Sequence, residues 1–259
     1  MIRVPYHLRR EIDLLWLLTQ KEITLQYKRT SLGILWSLLN PLLLAFVFYI
    51  AFVVILKIPK RDFPLFFLSA LFPWTWFSTS VSASCVSLIA NKSLIKKFPF
   101  PKHFLITAGV LSQAVHFLVS LPVITFLVYY YGKTAHGVWL LGIPILLFIQ
   151  FVMTIGVCIA ISVITVYFVD FQFIVAFLLN ILFWVSPIIY HLETIPEPYR
   201  LLSLYFNPMT SLMSSWRELF LSNRIYWNWI FIAFLSSCIV FLVGYLIFRR
   251  LNTRLDEVI

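Results

Sequence analysis

The chain has 259 residues, of which 61% are hydrophobic and 12% charged, and its mean hydropathy is +0.94. Soluble domains have about 45–50% apolar and about 25% charged residues, so this composition excludes a soluble enzyme, a disordered chain and a secreted disulfide scaffold. The net charge is +10, and because the basic residues fall between apolar runs, they indicate membrane orientation rather than nucleic acid binding. The sequence predicts an all-α integral membrane protein.

The first predicted element is an amphipathic helix within residues 1–30. Apolar residues, among them Trp16, fall on one helical face and basic residues on the other. Such a helix is expected to lie in the inner membrane interface. A cytoplasmic helix packed on a partner protein is the alternative. The basic residues expected near the headgroups are Arg10, Lys21, Lys28 and Arg29.

Residues 31–259 are predicted to form one transmembrane domain with six spans. Six windows of 22 to 36 residues contain no Asp, Glu, Lys or Arg, and a spanning helix needs roughly 20 apolar residues. The predicted spans are 32–56, 64–90, 104–131, 138–167, 171–190 and 227–248. With the N-terminus inside, the inner segments hold 13 Lys and Arg against 7 in the outer segments. Both termini are therefore expected in the cytoplasm.

The loop 91–101, between the second and third spans, is predicted to dock on a partner protein. It has three lysines before Phe98, no acid, and two prolines that prevent a continuous helix. Leu94, Ile95 and Phe98 could fill an apolar groove. A basic loop that only follows the positive-inside rule is the alternative. The residues assigned to docking are Asn91, Leu94, Ile95, Lys96, Lys97 and Phe98.

The segment 191–226 lies between the last two spans and contains two semi-apolar stretches, 199–206 and 209–221, that are too short to cross a membrane. They are predicted to be short helices that re-enter the outer leaflet or cap a channel, because backbone at that depth must be helical or buried. An amphipathic segment resting on the outer surface is the alternative. The gate residues proposed here are Asn207, Pro208, Arg217 and Glu218.

Four motifs, in this order along the chain, resemble the permeases of ABC-2 polysaccharide exporters. They are residues 27–36 followed by Pro41, the loop 91–101, residues 186–190, and Asn207 with Pro208. The resemblance is nearest to O-antigen exporters, and teichoic-acid and capsule permeases share much of it. The sequence departs from the family at Val169, where Arg is frequent, and at Asn180, where Gln is frequent.

The resemblance implies a type V exporter fold in which two copies of the permease surround a central channel. It also implies two copies of an ATPase subunit, which binds ATP and Mg²⁺, and a lipid-linked O-antigen polysaccharide as substrate at the bacterial inner membrane. Export of teichoic acid, capsule or a small lipid is the first alternative. A membrane enzyme acting on lipid-linked sugar is the second, and it is disfavoured because the spans carry no cluster of acids.

The chain itself is not expected to be an enzyme or to bind ATP. A P-loop needs the pattern G-x-x-x-x-G-K-[ST]. The glycine spacing occurs at Gly137 and Gly142, where Ile143 and Pro144 follow, and at Gly132 and Gly137. Val138 and Trp139 follow where the phosphate-binding Lys and the hydroxyl residue would stand. The scattered histidines have no ligand spacing, so no metal, no other cofactor and no catalytic residue is expected.

Aromatic rings in the middle of two spans are the candidate sugar path implied by this resemblance. Flat ring faces contact the C–H faces of sugars, and Tyr hydroxyls bond sugar hydroxyls. Packing against neighbouring helices and lipid is the alternative for each ring. The candidates are Phe46, Tyr49 and Phe52 of the first span and Phe183, Trp184 and Tyr190 of the fifth.

Overall fold

The computed structural model describes residues 6–28, 30–57, 62–97, 100–253 and 255, and these contain helices and no strand. The predicted all-α fold is confirmed. The first five helices are α1 (Tyr6–Tyr27), α2 (Trp36–Tyr49, extended by a π-helical turn, Ile50–Ile55), α3 (Phe63–Ala90), α4 (Lys92–Lys97) and α5 (His103–Tyr130). They are followed by α6 (Val138–Tyr167), α7 (Phe171–Val185), α8 (Glu197–Phe206), α9 (Pro208–Ser222) and α10 (Trp227–Asn252).

Each of the six predicted spans corresponds to a helix, but the helices are not equally suited to lipid. Four stretches of the described chain are long and apolar enough to cross a membrane: Gly33–Ile55, α5, α6 and α10. The helix α3 is as long as α5 but carries more Ser, Thr and Trp, and α7 is apolar but has 15 residues. The count of six spans therefore stays a prediction.

The fifth predicted span, 171–190, ends earlier than expected. The helix α7 stops at Val185, and Ser186 is extended (φ −84°, ψ 145°) because it precedes Pro187. Tyr190 belongs to the irregular segment that follows, and its hydroxyl donates to the carbonyl oxygen of Val185 at 2.8 Å. That bond satisfies one of the carbonyl groups left free where the helix ends.

The helix α3 lies at the centre of the fold and contacts α2, α5, α6, α7 and α9. Most of its residues are buried, including a continuous run from Leu65 to Trp74. Its hydroxyl residues face protein rather than lipid along much of its length, which explains why a long helix of lower hydropathy is stable here. Its remaining exposed side, near Thr79 and Ser82, borders the candidate site.

The closest helix contact joins α6 and α10 through two glycines. A Cβ on Gly156 would lie 2.5 Å from the Cα of Phe241, and a Cβ on Gly244 would overlap the carbonyl oxygen of Gly156. Backbone atoms cannot move aside as side chains can, so only glycine permits this approach. Small residues at such crossings are typical of membrane helices that pack by close van der Waals contact.

We expect Gly244→Ala to destabilise the permease by about 1–3 kcal/mol, the usual effect of overpacking a tight contact. The measurement is the thermal unfolding midpoint of the protein purified in detergent. Gly109→Ala on α5 is the matched control, because a Cβ there would meet nothing within 4 Å. An equal midpoint for both variants would contradict the close approach of α6 and α10.

Candidate functional site

A groove of about 420 Å³ runs along α3 between α2 and α7. Three hydroxyl residues of α3, Thr75, Ser78 and Ser82, line it at helical spacing, so they share one face. Asn180 of α7 lies opposite them and is exposed. No charged side chain is among the described residues that line the groove. Apolar helices thus frame an uncharged polar surface that is left open by the described residues of one copy of the chain.

The hydroxyl groups of this groove are partly satisfied by their own helix. Thr75 Oγ1 donates to the carbonyl oxygen of Leu71 at 2.8 Å, and Ser78 Oγ donates to that of Thr75 at 3.4 Å. Because each hydroxyl oxygen also has lone pairs, its acceptor capacity remains available to a ligand. Bonding back to the helix makes Ser and Thr tolerable in a membrane segment.

A network of aromatic rings connects α2, α3 and α7 beside the groove. Phe48 lies 4.9 Å from Phe67 and 6.5 Å from Trp184, measured between ring centroids. Trp74 lies 5.8 Å from Phe183. These separations fall within the range of favourable ring pairs. The rings from three helices therefore form one contiguous surface next to the row of hydroxyl groups.

The network of aromatic rings contains some of the residues predicted to form the sugar path, together with rings that were not predicted. Phe52 stacks on Phe48, while Phe183 and Trp184 contact each other edge to face. Phe46 is 60% exposed, and Tyr49 is half-buried against the core. The rings that the sequence analysis missed are Phe48, Phe67 and Trp74. The spacing of four residues between Phe48 and Phe52 was the available signal, since it places both on one helix face.

The helix α9 belongs to the predicted gate segment, residues 191–226. It is buried in the protein rather than exposed at the protein surface. Trp216 Nε1 donates to Gln150 Oε1 of α6 at 2.6 Å, and Gln150 Nε2 donates to the carbonyl oxygen of Pro73 in α3 at 2.6 Å. The indole and the amide are both fully buried. This chain of bonds fixes α9 to α6 and α3 at the same time.

Arg217 forms a second anchor of α9. Its guanidinium donates to the carbonyl oxygens of Phe66, Tyr190 and Ile188, the last at 2.6 Å, and its Cζ lies 3.8 Å above the Phe66 ring. Burial lowers the pKa of Arg217 to about 9, so the side chain stays charged at neutral pH. The neighbouring Glu218 is only half-buried. Arg217 thus joins α3 to the segment that leaves α7.

Asn207 and Pro208 start α9 in the manner their residue types favour. Asn207 is the N-cap, and its Oδ1 accepts from the backbone N–H of Met209 at 3.0 Å, while Pro208 stands in the first turn, where no N–H is needed. Asn207 Nδ2 also donates to Ser186 Oγ at 3.0 Å. Two motifs that are distant in sequence are therefore joined by one side chain.

The preceding helix α8 presents an exposed apolar side. Tyr205 and Phe206 are exposed, the latter by 80%, as are Leu201 and Leu202, whereas Leu204 is buried. Within the predicted gate segment, α8 is consequently the element with a free surface. The helix α9 supports it through the bond between Ser203 Oγ and Thr210 Oγ1, which are 2.8 Å apart.

The docking loop is oriented differently from the sequence-based expectation. Leu94 and Ile95 are half-buried and pack against the core of the chain itself, whereas Lys96 and Lys97 are exposed, as is Lys92. Lys21 Nζ donates to Asn91 Oδ1 and ties α1 to the end of α3. Phe98 lies outside the described residues. The surface left free by α4 is therefore basic rather than apolar.

The helix α1 packs along α5 with one side and leaves apolar residues free on another. Leu18 is buried, while Trp16 is 60% exposed. Arg10 and Lys28 are also exposed, but Lys21 is half-buried through its bond to Asn91, so it does not face outward as expected. Arg29 lies outside the described residues. A helix that exposes both an indole and basic side chains fits a position at a membrane surface.

Known proteins match this chain in the way that the resemblance to ABC-2 permeases predicts. The family model described as "ABC-2 type transporter" matches residues 13–221. The Klebsiella pneumoniae protein named "O-antigen export system permease protein RfbA" is 34% identical over 258 residues, which is 100% of this chain and 99% of that protein. A protein of the same name from Myxococcus xanthus is 36% identical over 228 residues, which is 87% of this chain and 86% of that protein.

A more distant relative comes from Escherichia coli. The protein named "Polysialic acid transport protein KpsM" is 25% identical over 200 residues, which is 76% of this chain and 77% of that protein. The predicted resemblance to ABC-2 permeases is thus confirmed by a family match over most of the chain and by relatives of the same length. The chain belongs to the ABC-2 type transporter family.

Proposed function

We propose that this chain is the permease subunit of an ATP-driven exporter of lipid-linked O-antigen polysaccharide, and that two copies enclose the polymer between them. The observation that carries the proposal is the uncharged, hydroxyl-lined groove between α2, α3 and α7. A polar surface facing lipid would be costly. A second copy that covers this groove and encloses water removes that cost and creates a passage.

The lining of this passage suits a sugar polymer. The hydroxyl and amide groups of Thr75, Ser78 and Asn180 can exchange hydrogen bonds with sugar hydroxyls in any register. The adjacent rings of Phe183, which is half-buried, and Trp184, which is exposed, offer flat apolar faces. Many weak and similar contacts allow a polymer to slide, because no single position holds it tightly.

The charge of the groove favours a neutral polymer over an anionic one. The Escherichia coli relative is named for the transport of polysialic acid, and that polymer carries a carboxylate on each unit. A passage for such a chain would be stabilised by Arg or Lys side chains, and none is among the described residues lining this groove. O-antigen export, which the names of two closer relatives print, therefore fits better.

Energy for export is assigned to a separate ATPase subunit, in two copies, because ABC-2 permeases act as transport subunits of ABC transporters. The basic surface of Lys92, Lys96 and Lys97 is the proposed docking site. The excess of Lys and Arg in the inner segments supports cytoplasmic termini and a docking face on the cytoplasmic side of the inner membrane. The permease itself binds neither ATP nor Mg²⁺ in this proposal.

Replacing Thr75 by Val and Asn180 by Leu tests the passage. We expect the double variant to lose about thirtyfold in export rate, because two polar partners worth about 1 kcal/mol each are removed. Export is measured as polymer reaching the cell surface, normalised to the amount of permease in the membrane. Ser236→Ala on α10 is the control, since that hydroxyl bonds only its own helix at Ala233. Normal export by the double variant would remove the groove from the polymer path.

A further inference from the structure

A second polar cavity lies between α1, α2, α3 and α5, and it shares Thr75 of α3 with the groove described above. Its volume is about 130 Å³. Its other polar side chains include Gln26, Ser37, Asn40, Thr79, Gln113 and His116. Five further residues that line it are aromatic: Tyr27, Trp36, Phe72, Trp76 and Phe117. Tyr27 and Trp36 belong to the first of the four sequence motifs, but the proposed passage does not account for this concentration of amide, hydroxyl and ring groups.

The polar side chains of the cavity are held by one another. Gln113 Nε2 donates to Gln26 Oε1 at 3.2 Å, and Gln113 Oε1 lies 3.1 Å from His116 Nδ1. The ring of Tyr27 meets that of His116 edge to face, with centroids 5.2 Å apart. Residues from α1 and α5 are therefore fixed in place before any ligand arrives, which reduces the entropy lost on binding.

Two buried polar atoms of this group, Tyr27 Oη and His116 Nε2, lack a hydrogen-bond partner among the described residues. His116 is 7% exposed, and its Nε2 makes no hydrogen bond within the described part of the chain. A neutral imidazole offers Nε2 as an acceptor or as a donor, according to its tautomer. A hydroxyl group can donate or accept, so it satisfies Nε2 in either case.

The cavity has no ionised side chain among the described residues that line it. The adjoining groove contains one carboxylate, Glu22, and Lys21 Nζ lies 3.3 Å from its Oε1. A phosphate or carboxylate ligand would need an unpaired cation, so an anionic headgroup is a poor fit. A neutral ligand with several hydroxyl groups fits the amides, the hydroxyls and the rings at once.

The volume limits how much of such a ligand can enter. An apolar protein cavity of about 150 Å³ holds benzene, and this cavity is close to that size. A pyranose carries hydroxyl groups on its ring and is larger than benzene, so the cavity admits part of one sugar residue and the rest of that residue lies at the open side. The partial exposure of Trp36 and Asn40 at the start of α2 leaves one side open.

We propose that this cavity binds one neutral sugar residue of the transported glycolipid, at a site that adjoins the passage along α2, α3 and α7 through Thr75. The inference rests on the proposed export of a sugar polymer. It specifies that the sugar residue bound from this polymer is an uncharged pyranose. Thr79 lines this cavity, and Ser78 and Ser82 lie beside it in the adjoining groove. Because Ser78 and Ser82 also line the passage, a sugar held here lies next to the row of hydroxyl groups that it would enter.

Saturation-transfer NMR on the permease with its ATPase subunit in lipid nanodiscs tests the site. The probes are methyl glycosides of glucose, galactose, mannose and rhamnose, offered separately, together with methyl glucuronide as the charged match of the glucoside. We expect transfer to at least one neutral glycoside and a weaker signal from the glucuronide. His116→Phe and Asn40→Leu should each reduce the neutral signal about fivefold, the effect of one lost hydrogen bond, while Ser236→Ala should not.

Three results would overturn the inference. The first is that the wild-type protein binds no neutral glycoside. The second is that the glucoside and the glucuronide give equal signals, and the third is that the neutral signal is unchanged in both variants. If His116→Phe does not fold, Asn40→Leu decides alone, because Asn40 is exposed. Purified polymer should compete with the bound glycoside, and failure to compete would refute the polymer as the occupant. ATP-driven export by the same complex in vesicles is measured separately, so that a wild-type complex that exports polymer but binds no neutral glycoside refutes only this site.

Discussion

Reversing the charge of Lys92, Lys96 and Lys97 to Glu is expected to abolish ATP-driven export while the permease stays folded. The three side chains are exposed, and the apolar residues of the same short helix face inward. Like charges brought together at an interface cost several kcal/mol and also slow association. The variant should fail to stimulate the ATPase and should not copurify with it. The measurements are copurification, ATP hydrolysis and export from the same membranes.

Two controls separate docking from folding in this experiment. Reversal of Arg249 and Arg250, which are exposed near the end of α10, changes basic charge without touching α4 and should leave copurification intact. Leu94→Ser with Ile95→Ser should instead lower the unfolding midpoint, because both side chains pack on the permease core. Copurification of the ATPase with the triple Glu variant at the wild-type level would show that docking occurs elsewhere.

Arg217→Met is expected to cause the largest loss of stability among single substitutions of the gate segment. Met has similar length but no donor, so the carbonyl oxygens of Phe66, Ile188 and Tyr190 would lose their partner. Each buried acceptor left unsatisfied costs about 1–3 kcal/mol. The segment after α7 would then detach from α3. Thermal unfolding of the purified permease measures the loss, and export measures its consequence.

Arg217→Lys and Arg200→Met define what the guanidinium contributes. Lysine keeps the charge but lacks the planar fork that reaches several carbonyls at once, so its unfolding midpoint should lie between those of wild type and Arg217→Met. Arg200→Met removes an arginine at the surface of α8, whose weak contact with Glu197 at 3.4 Å contributes little. A stable Arg217→Met protein would mean that α9 is held by Trp216 and its apolar neighbours alone.

Local features of the sequence were enough to predict most of the helices and many of their ends, although α4 lies in a stretch that was expected to be a loop. Long apolar windows predicted helices at each of the six span positions, because backbone groups in lipid must bond within their own helix. Asn207 and Pro208 marked the start of α9, since N-cap and first-turn preferences depend on adjacent residues only. The prolines of 191–226 likewise predicted two short helices, and α8 and α9 lie there.

The orientation of each helix was decided only by the tertiary structure. In a membrane helix, the side facing lipid and the side facing protein are both apolar, so the pattern of residues does not show which side is buried. This is why Phe48 rather than Phe46 joins the ring network, and why Leu94 and Ile95 turn toward the core. Contacts between distant segments, such as Arg217 with Phe66, and His116 near Gln113 and Tyr27, depend on how α3 is surrounded by its neighbours. No local preference encodes that arrangement, because it arises from the simultaneous packing of several helices against one.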